Sequence, residues 1–255
     1  MSVLSGNPIY FKHRKSLPIF FSREKILNFF KNNKTFILVG ETGSGKTTQL
    51  VQYLLDSELC NKVIACTQPR RVAAITVARR VAKERGVRLG MEVGYTVRFQ
   101  DVSSSKTRIK YLTDGMLLRE AVANPLLKKY EVIILDEAHE RTLHTDVLFS
   151  IVKDLQTKRE DLKVIIMSAT LDVSKFSKYF NNCETLHVSG RQYPVEILYC
   201  KEPENDYVDA TLITVLQIHL EELPGDILCF LTGQEEIEAV LQSLEEKILY
   251  LPESG

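Results

Sequence analysis

Cysteine is scarce in this chain, and the scarcity closes two options. Five cysteines (Cys60, Cys66, Cys183, Cys200 and Cys229) stand among 255 residues, odd in number, scattered and never in C-x-x-C spacing. That pattern excludes a disulfide framework and a zinc site, and it reads as reduced thiols of an intracellular protein. Cys66 and Cys229 lie in apolar, strand-like runs and are expected in the core. No apolar run approaches the roughly 18 residues that a membrane span requires, so no membrane association is expected. The first seven residues lack the charged and apolar regions of a secretory leader. Internal repeats and low-complexity tracts are absent too. So is net charge, with 33 Lys and Arg against 33 Asp and Glu.

Overall neutrality hides a strong asymmetry. Lys62 to Lys110 holds 12 basic and 3 acidic residues, a balance of +9, whereas Glu196 to Gly255 holds 2 basic and 14 acidic, a balance of −12. The basic segment is compatible with a polyanionic partner, and equally with an ordinary solvated face.

Apolar runs recur at Phe36–Val39, Val63–Thr67, Glu92–Val97, Ile109–Leu112, Val132–Leu135 and Val164–Met167. Ile26, Leu27, Phe29 and Phe30 suit a helix before the first run. Ala73–Arg85 and Asp146–Leu155 read as helices between later ones. Near-continuous apolar strands alternating with helices predict an α/β fold, a parallel sheet covered on both faces. Residues 1–16 read as a loosely structured extension, with Lys12-His13-Arg14-Lys15 a short basic cluster compatible with nuclear import. A boundary is expected near Gly190–Pro194. Beyond it the pattern predicts strand Val195–Tyr199, helix Tyr207–Leu220, strand Asp226–Leu231 and helix Glu235–Leu249.

The chemistry-bearing residues come just after the apolar runs, at the sheet edge where open parallel sheets bind ligands. Gly40-Glu41-Thr42-Gly43-Ser44-Gly45-Lys46-Thr47, with Thr48 next, matches the phosphate-binding pattern G-x-x-x-x-G-K-[ST]. Its glycines let backbone N–H groups close around a phosphate at the positive end of the next helix. Lys46 is expected on the β- and γ-phosphates and the Thr47 hydroxyl on Mg²⁺. About 90 residues on, Glu131–Leu135 runs into Asp136-Glu137-Ala138-His139. Asp136 is the second expected Mg²⁺ residue, and Glu137 is expected to orient the attacking water. His139 either couples the nucleotide site to a neighbouring lobe or is a satisfied loop histidine.

Taken with Thr67-Gln68-Pro69-Arg70-Arg71-Val72-Ala73-Ala74, Thr113-Asp114-Gly115-Met116-Leu117, Ser168-Ala169-Thr170 and Phe230-Leu231-Thr232-Gly233-Gln234-Glu235-Glu236-Ile237, these stretches resemble the successive motifs of the DEAH-box RNA helicases. They stand in that family's order and near its spacing, over Leu17 to Leu249. Gly94–Phe99 and Gly190-Arg191-Gln192-Tyr193-Pro194 suit the family's wording as well. The resemblance implies a RecA-like P-loop fold. Residues 17–192 would be the ATP-binding domain and 193–255 an incomplete beginning of a second RecA-like domain.

The resemblance also implies site residues. Arg70, Arg71, Thr113, Asp114, Gly115, Thr232 and Gly233 would contact the nucleic-acid backbone, giving affinity without sequence readout. Ser168, Ala169 and Thr170 would couple hydrolysis to strand movement, with a simple capping turn as the alternative. Arg80, or Arg79 in its place, would lie near the adenine. No glutamine precedes Gln49, so an upstream adenine-reading glutamine is lacking and loose nucleobase choice is implied, with GTP and CTP competing with ATP.

The resemblance thus implies an intracellular, nuclear enzyme that hydrolyses ATP or another NTP with Mg²⁺, acts on RNA, and has room for an activating protein partner. A DNA-directed motor is the lesser alternative. The family's second-lobe arginines have no counterpart here, and an arginine finger contributes about 10³–10⁵ in rate, roughly 4–7 kcal/mol of barrier. The other reading is therefore a truncated, weakly catalytic nucleotide- and RNA-binding module with an exposed sheet edge.

Overall fold

The computed structural model describes residues 6–170, 173–190, 194–221 and 224–249. Their backbone contacts divide at Tyr193/Pro194 into two units. In the first, chain order runs α1 (Phe11–Ser16), α2 (Pro18–Phe21), α3 (Arg23–Asn32), β1 (Thr35–Gly40), α4 (Lys46–Asp56), β2 (Val63–Gln68) and α5 (Arg71–Arg85). It continues through β3 (Val93–Val97), β4 (Gln100–Val102), β5 (Ile109–Thr113), α6 (Asp114–Ala123), β6 (Tyr130–Leu135), α7 (Leu143–Lys158), β7 (Lys163–Ser168), α8 (Ser174–Tyr179) and β8 (Glu184–Val188).

The eight strands form one sheet in the order β4-β3-β5-β2-β6-β7-β1-β8. All neighbours are parallel except β3 and β4, which form an antiparallel hairpin at one edge. Alternation along each strand sends side chains to two cores. Phe36, Leu38, Ile64, Cys66, Val132, Ile134, Ile165 and Met167 join the layer under α3, α4 and α5. Ile37, Val39, Ala65, Ile133, Leu135, Val164 and Ile166 join the layer under α6, α7 and α8. Both faces are covered, so the strands carry uninterrupted apolar runs.

All six strands read from the sequence for this unit form. β4 and β8 escape that reading because one is three residues long and the other, Glu-Thr-Leu-His-Val, alternates instead of running apolar. A larger correction concerns residues 7–16. They are ordered as a short 3₁₀ turn and α1. Arg14 is fully buried, its Nε donating to Gln49 Oε1 at 2.9 Å and lying 3.7 Å from Glu84 Oε2. The basic cluster 12–15 is therefore not a continuous exposed patch.

The second unit holds α9 (Tyr207–Glu221) and α10 (Gln234–Ile248), which pack on one another. Both helices agree with the sequence pattern. The two expected strands do not form: residues 194–200 and 225–231 join no ladder, so among the described residues this unit has no sheet and no sheet edge. A strand is stable only with hydrogen-bonded neighbours, and neither stretch pairs with the other. Cys229, expected in a core, is exposed for the same reason, while Cys66 is buried as expected. Arg191, Gln192 and Tyr193, part of the motif at the expected boundary, lie outside the described residues, as do residues 1–5 and 250–255.

Candidate functional site

The turns after β1, β2, β6 and β7 meet at the carboxyl edge of the sheet. After β1 the chain must curl tightly into α4, and glycine is needed where it does. A side chain at Gly40 would begin 3.2 Å from both Lys46 Cδ and Ser44 Oγ. Gly45, at φ 92°, is left-handed and caps α4, and a Cβ there would sit 3.0 Å from Leu17 and 3.1 Å from Ile19. The loop is thus pressed onto the segment before α3. Lys46 is buried, and its Nζ donates to the carbonyl oxygens of Gly40 and Glu41. Burial pulls the pKa of Lys46 down, while Asp136, Glu137 and Glu41 hold it up.

Asp136 closes the site from β6. Its Oδ2 accepts from Thr47 Oγ1 at 2.6 Å and from Gln68 Nε2 at 2.6 Å, and its Oδ1 accepts from the Glu137 N–H at 2.8 Å. Burial, and then the charge of Glu137, push its carboxyl up to about 6. A buried carboxylate beside a hydroxyl is a hard-oxygen donor set that suits Mg²⁺, which takes one or two carboxylates and completes its shell with water and phosphate. Among the described residues no cluster of three or more His, Cys, Asp and Glu exists that would favour a different ion.

A cleft of about 390 Å³ is lined by Thr42, Lys46, Thr47, Thr48, Arg80 and Glu137. Arg80 lines it and Arg79 does not. The Arg80 Nε donates to Glu84 Oε1 at 2.7 Å, and its guanidinium lies 5.1 Å from the centre of the Tyr10 ring. Glu84 is itself buried and also accepts from Gln49 Nε2 and Gln52 Nε2, each at 2.8 Å. The sequence pattern alone assigns no role to Gln68, Gln49 or Glu84. Gln68 carries the one usable signal, its place at the carboxyl end of a core strand.

Glu137 adopts φ 50°, ψ 37°, a left-handed conformation that costs a residue with a side chain about 1–3 kcal/mol. His139 joins two motifs. Its Nδ1 accepts from the Ala169 N–H at 3.3 Å, and its Nε2 lies 3.5 Å from Glu137 Oε2. Ser168 is buried at the end of β7, and its Oγ accepts from the Thr170 N–H at 3.2 Å, which is the geometry of a capping turn.

The residues expected on nucleic acid are placed differently from one another. Arg70 is exposed at the start of α5 and pairs with Glu140 at 3.3 Å, and exposed Arg71 donates to Gln100 Oε1 at 3.4 Å. Thr113 and Gly115 are half-buried at the start of α6. Asp114 departs from the expectation. Only 2% exposed, it turns its carboxylate inward, and Oδ2 accepts from Thr145 Oγ1 at 2.5 Å. The hydroxyls of Thr145 on α7 and of Thr142, its N-cap, draw it there. Thr232 and Gly233 are exposed in the second unit, where the Thr232 N–H and Oγ1 donate to Glu236 Oε2 at 3.0 and 2.6 Å.

Residues 22–178 match the DEAD/DEAH box helicase family. Over 245 residues, 95% of this chain, the sequence is 57% identical to the pre-mRNA-splicing factor ATP-dependent RNA helicase prp22 of Schizosaccharomyces pombe. The matched part is 21% of that protein, so the chain spans about a fifth of the length of this curated relative.

Proposed function

The chain belongs to the DEAD/DEAH box helicases, and from that premise we propose that it is the nucleotide-binding part of an ATP-dependent RNA helicase. In this reading residues 17–192 are the ATP-binding domain and 193–255 begin a second RecA-like domain. The observation that carries it is the Thr47–Asp136 hydrogen bond of 2.6 Å, which fastens the phosphate loop to the acidic strand end. Lys46 leaves its carbonyl partners for the β- and γ-phosphates, and the loop N–H groups wrap the same anion. Thr47 and Asp136 hold Mg²⁺, which supplies charge neutralisation to the phosphates when bound. Glu137, next to Asp136 and half-exposed, accepts the proton of the attacking water. Arg80 presents a guanidinium face, a sequence-tolerant surface for a nucleobase, so GTP and CTP are expected to compete with ATP. Arg70 and Arg71 contact RNA phosphates. The splicing relative supports a nuclear setting.

A weakly catalytic binding module is the second reading. It is favoured by the lack of any sheet among the described residues of the second unit. RNA-stimulated phosphate release separates the two, measured beside Lys46→Ala and Glu137→Gln. Turnover that falls at least about 10²-fold in both variants supports the motor. No turnover, with ATP binding lost only in Lys46→Ala, supports the module. Turnover unchanged in both variants removes the proposed site.

A further inference from the structure

The stretch Glu137–Thr142 is bonded on two sides. Toward the nucleotide it carries Glu137, and through His139 it meets Ala169. Toward the expected RNA face, Glu140 pairs with Arg70, and Thr142 caps α7 by accepting from the Thr145 N–H at 3.1 Å. Thr142 Oγ1 lies 2.7 Å from Thr145 Oγ1, and both hydroxyls face Asp114 Oδ2, at 3.5 and 2.5 Å. Asp114 opens α6, one residue after Thr113. Its other oxygen, Oδ1, is buried with no hydrogen-bond partner among the described residues.

That arrangement is costly. A buried carboxylate oxygen with no donor loses its hydration and gains nothing in return. The bonds to Oδ2 and the place of Asp114 in the first turn of α6 favour a carboxylate here, but they leave the buried, unpartnered Oδ1 unexplained. The stretch it holds also has unusual backbone at both ends, with Glu137 and Arg141 each at φ 50°. Two left-handed residues with side chains, four positions apart, mark a segment kept in place by its surroundings. Such a segment can have a second arrangement a few kcal/mol away.

We infer that Asp114 is a positioning residue, which through Thr142 and Thr145 links strand binding at Thr113–Gly115 to the orientation of Glu137. RNA that shifts the start of α6 displaces the Asp114 carboxylate, releases the cap of α7 and moves the segment that carries Glu137. Linkage makes the effect mutual: nucleotide bound at Glu137 alters RNA affinity by the same factor. The inference rests on the nucleotide and RNA sites proposed above.

The test uses the whole 255-residue chain with Mg²⁺. The Kd of a fluorescein-labelled oligouridylate is measured without and with saturating AMPPNP, and the ratio of the two is the coupling factor. For the wild type we expect a factor of about five or more. Thr145→Val removes the hydroxyl and keeps the shape, and its factor is expected to fall toward one while each ligand alone binds within about two-fold. Thr145→Ser restores the hydroxyl and is expected to restore the factor, which a merely structural role would not do. Asp114→Asn is expected to lose the factor as well. Wild-type factors in both Thr145→Val and Asp114→Asn overturn the proposal. So does weaker RNA binding in Asp114→Asn at an unchanged factor, which makes Asp114 a strand contact. A wild-type chain that binds both ligands with a factor of one overturns only the coupling; one that binds neither overturns the parent reading with it.

Discussion

Val132–Leu135 and Ile227–Leu231 read alike as sequence, each a short apolar run that comes after an acidic residue. In the structure they have opposite fates. Val132, Ile133, Ile134 and Leu135 are all fully buried, whereas Leu228 is 79% and Phe230 is 87% exposed. The difference lies outside the runs themselves. β6 has β2 on one side and β7 on the other, so every backbone group finds a ladder partner and each face meets a helix layer. Residues 225–231 have no such neighbours among the described residues. An apolar run is thus a request for a sheet, and only the neighbouring strands grant it.

Arg14→Ala gives the largest expected effect on this contrast. Within the first unit even the N-terminal turn is tied to the core by an ion pair with both side chains buried. Removing one partner of such a pair costs about 3–5 kcal/mol, because Glu84 would keep its charge with less compensation. Chemical denaturation is expected to show the loss as a lower midpoint. A change below about 1 kcal/mol would return residues 7–16 to the status of a loose extension. The residues described in 194–249 contain no ion pair to break, so no comparable substitution exists there.

Ile134→Ala against Phe230→Ala sharpens the comparison directly. Ile134 fills the layer under α4 and α5, and truncating it should cost about 2–5 kcal/mol. Phe230 loses a larger side chain but little buried area, and its truncation should stay within about 0.5 kcal/mol. Equal costs in thermal or denaturant melts would mean that residues 225–231 are packed after all.

Much of the first unit is legible in the sequence, and the failures have physical causes. Its six inner strands are readable because a parallel sheet buried on both faces demands mostly apolar side chains on either side. The phosphate loop and Asp136 are readable because their chemistry constrains residue type and spacing together. Arg14 is not, since a short basic run looks the same whether one member faces Gln49 and Glu84 or all face water. The inward turn of Asp114 is hidden for a related reason. A motif match assigns a function to a residue type, and the direction of its side chain is set by Thr142 and Thr145, 28 and 31 residues away.

Asp136→Asn carries the comparison into the site itself, with the opposite sign. Burial raises the Asp136 carboxyl from its ordinary 3.8 to about 6, so ionising it costs more in the folded chain than in the unfolded one. The penalty is therefore absent below about pH 3.8, grows as pH rises between the two values, and is complete above about pH 6. A shift of that size bounds it at about 3 kcal/mol near pH 7.5, and about half of that at pH 5. The amide keeps the volume, discards the charge and meets the Thr47 and Gln68 donors less well, so the net gain should be on the order of 2 kcal/mol. Without Mg²⁺ and nucleotide, Asp136→Asn is expected to melt higher than the wild type at pH 7.5, and by less at pH 5. Adding ATP and Mg²⁺ should stabilise the wild type by mass action and leave the variant nearly unmoved, closing or reversing the gap. A variant that melts lower at both pH values would show that Asp136 is a structural acid held by Thr47 and Gln68, and would separate it from the cation.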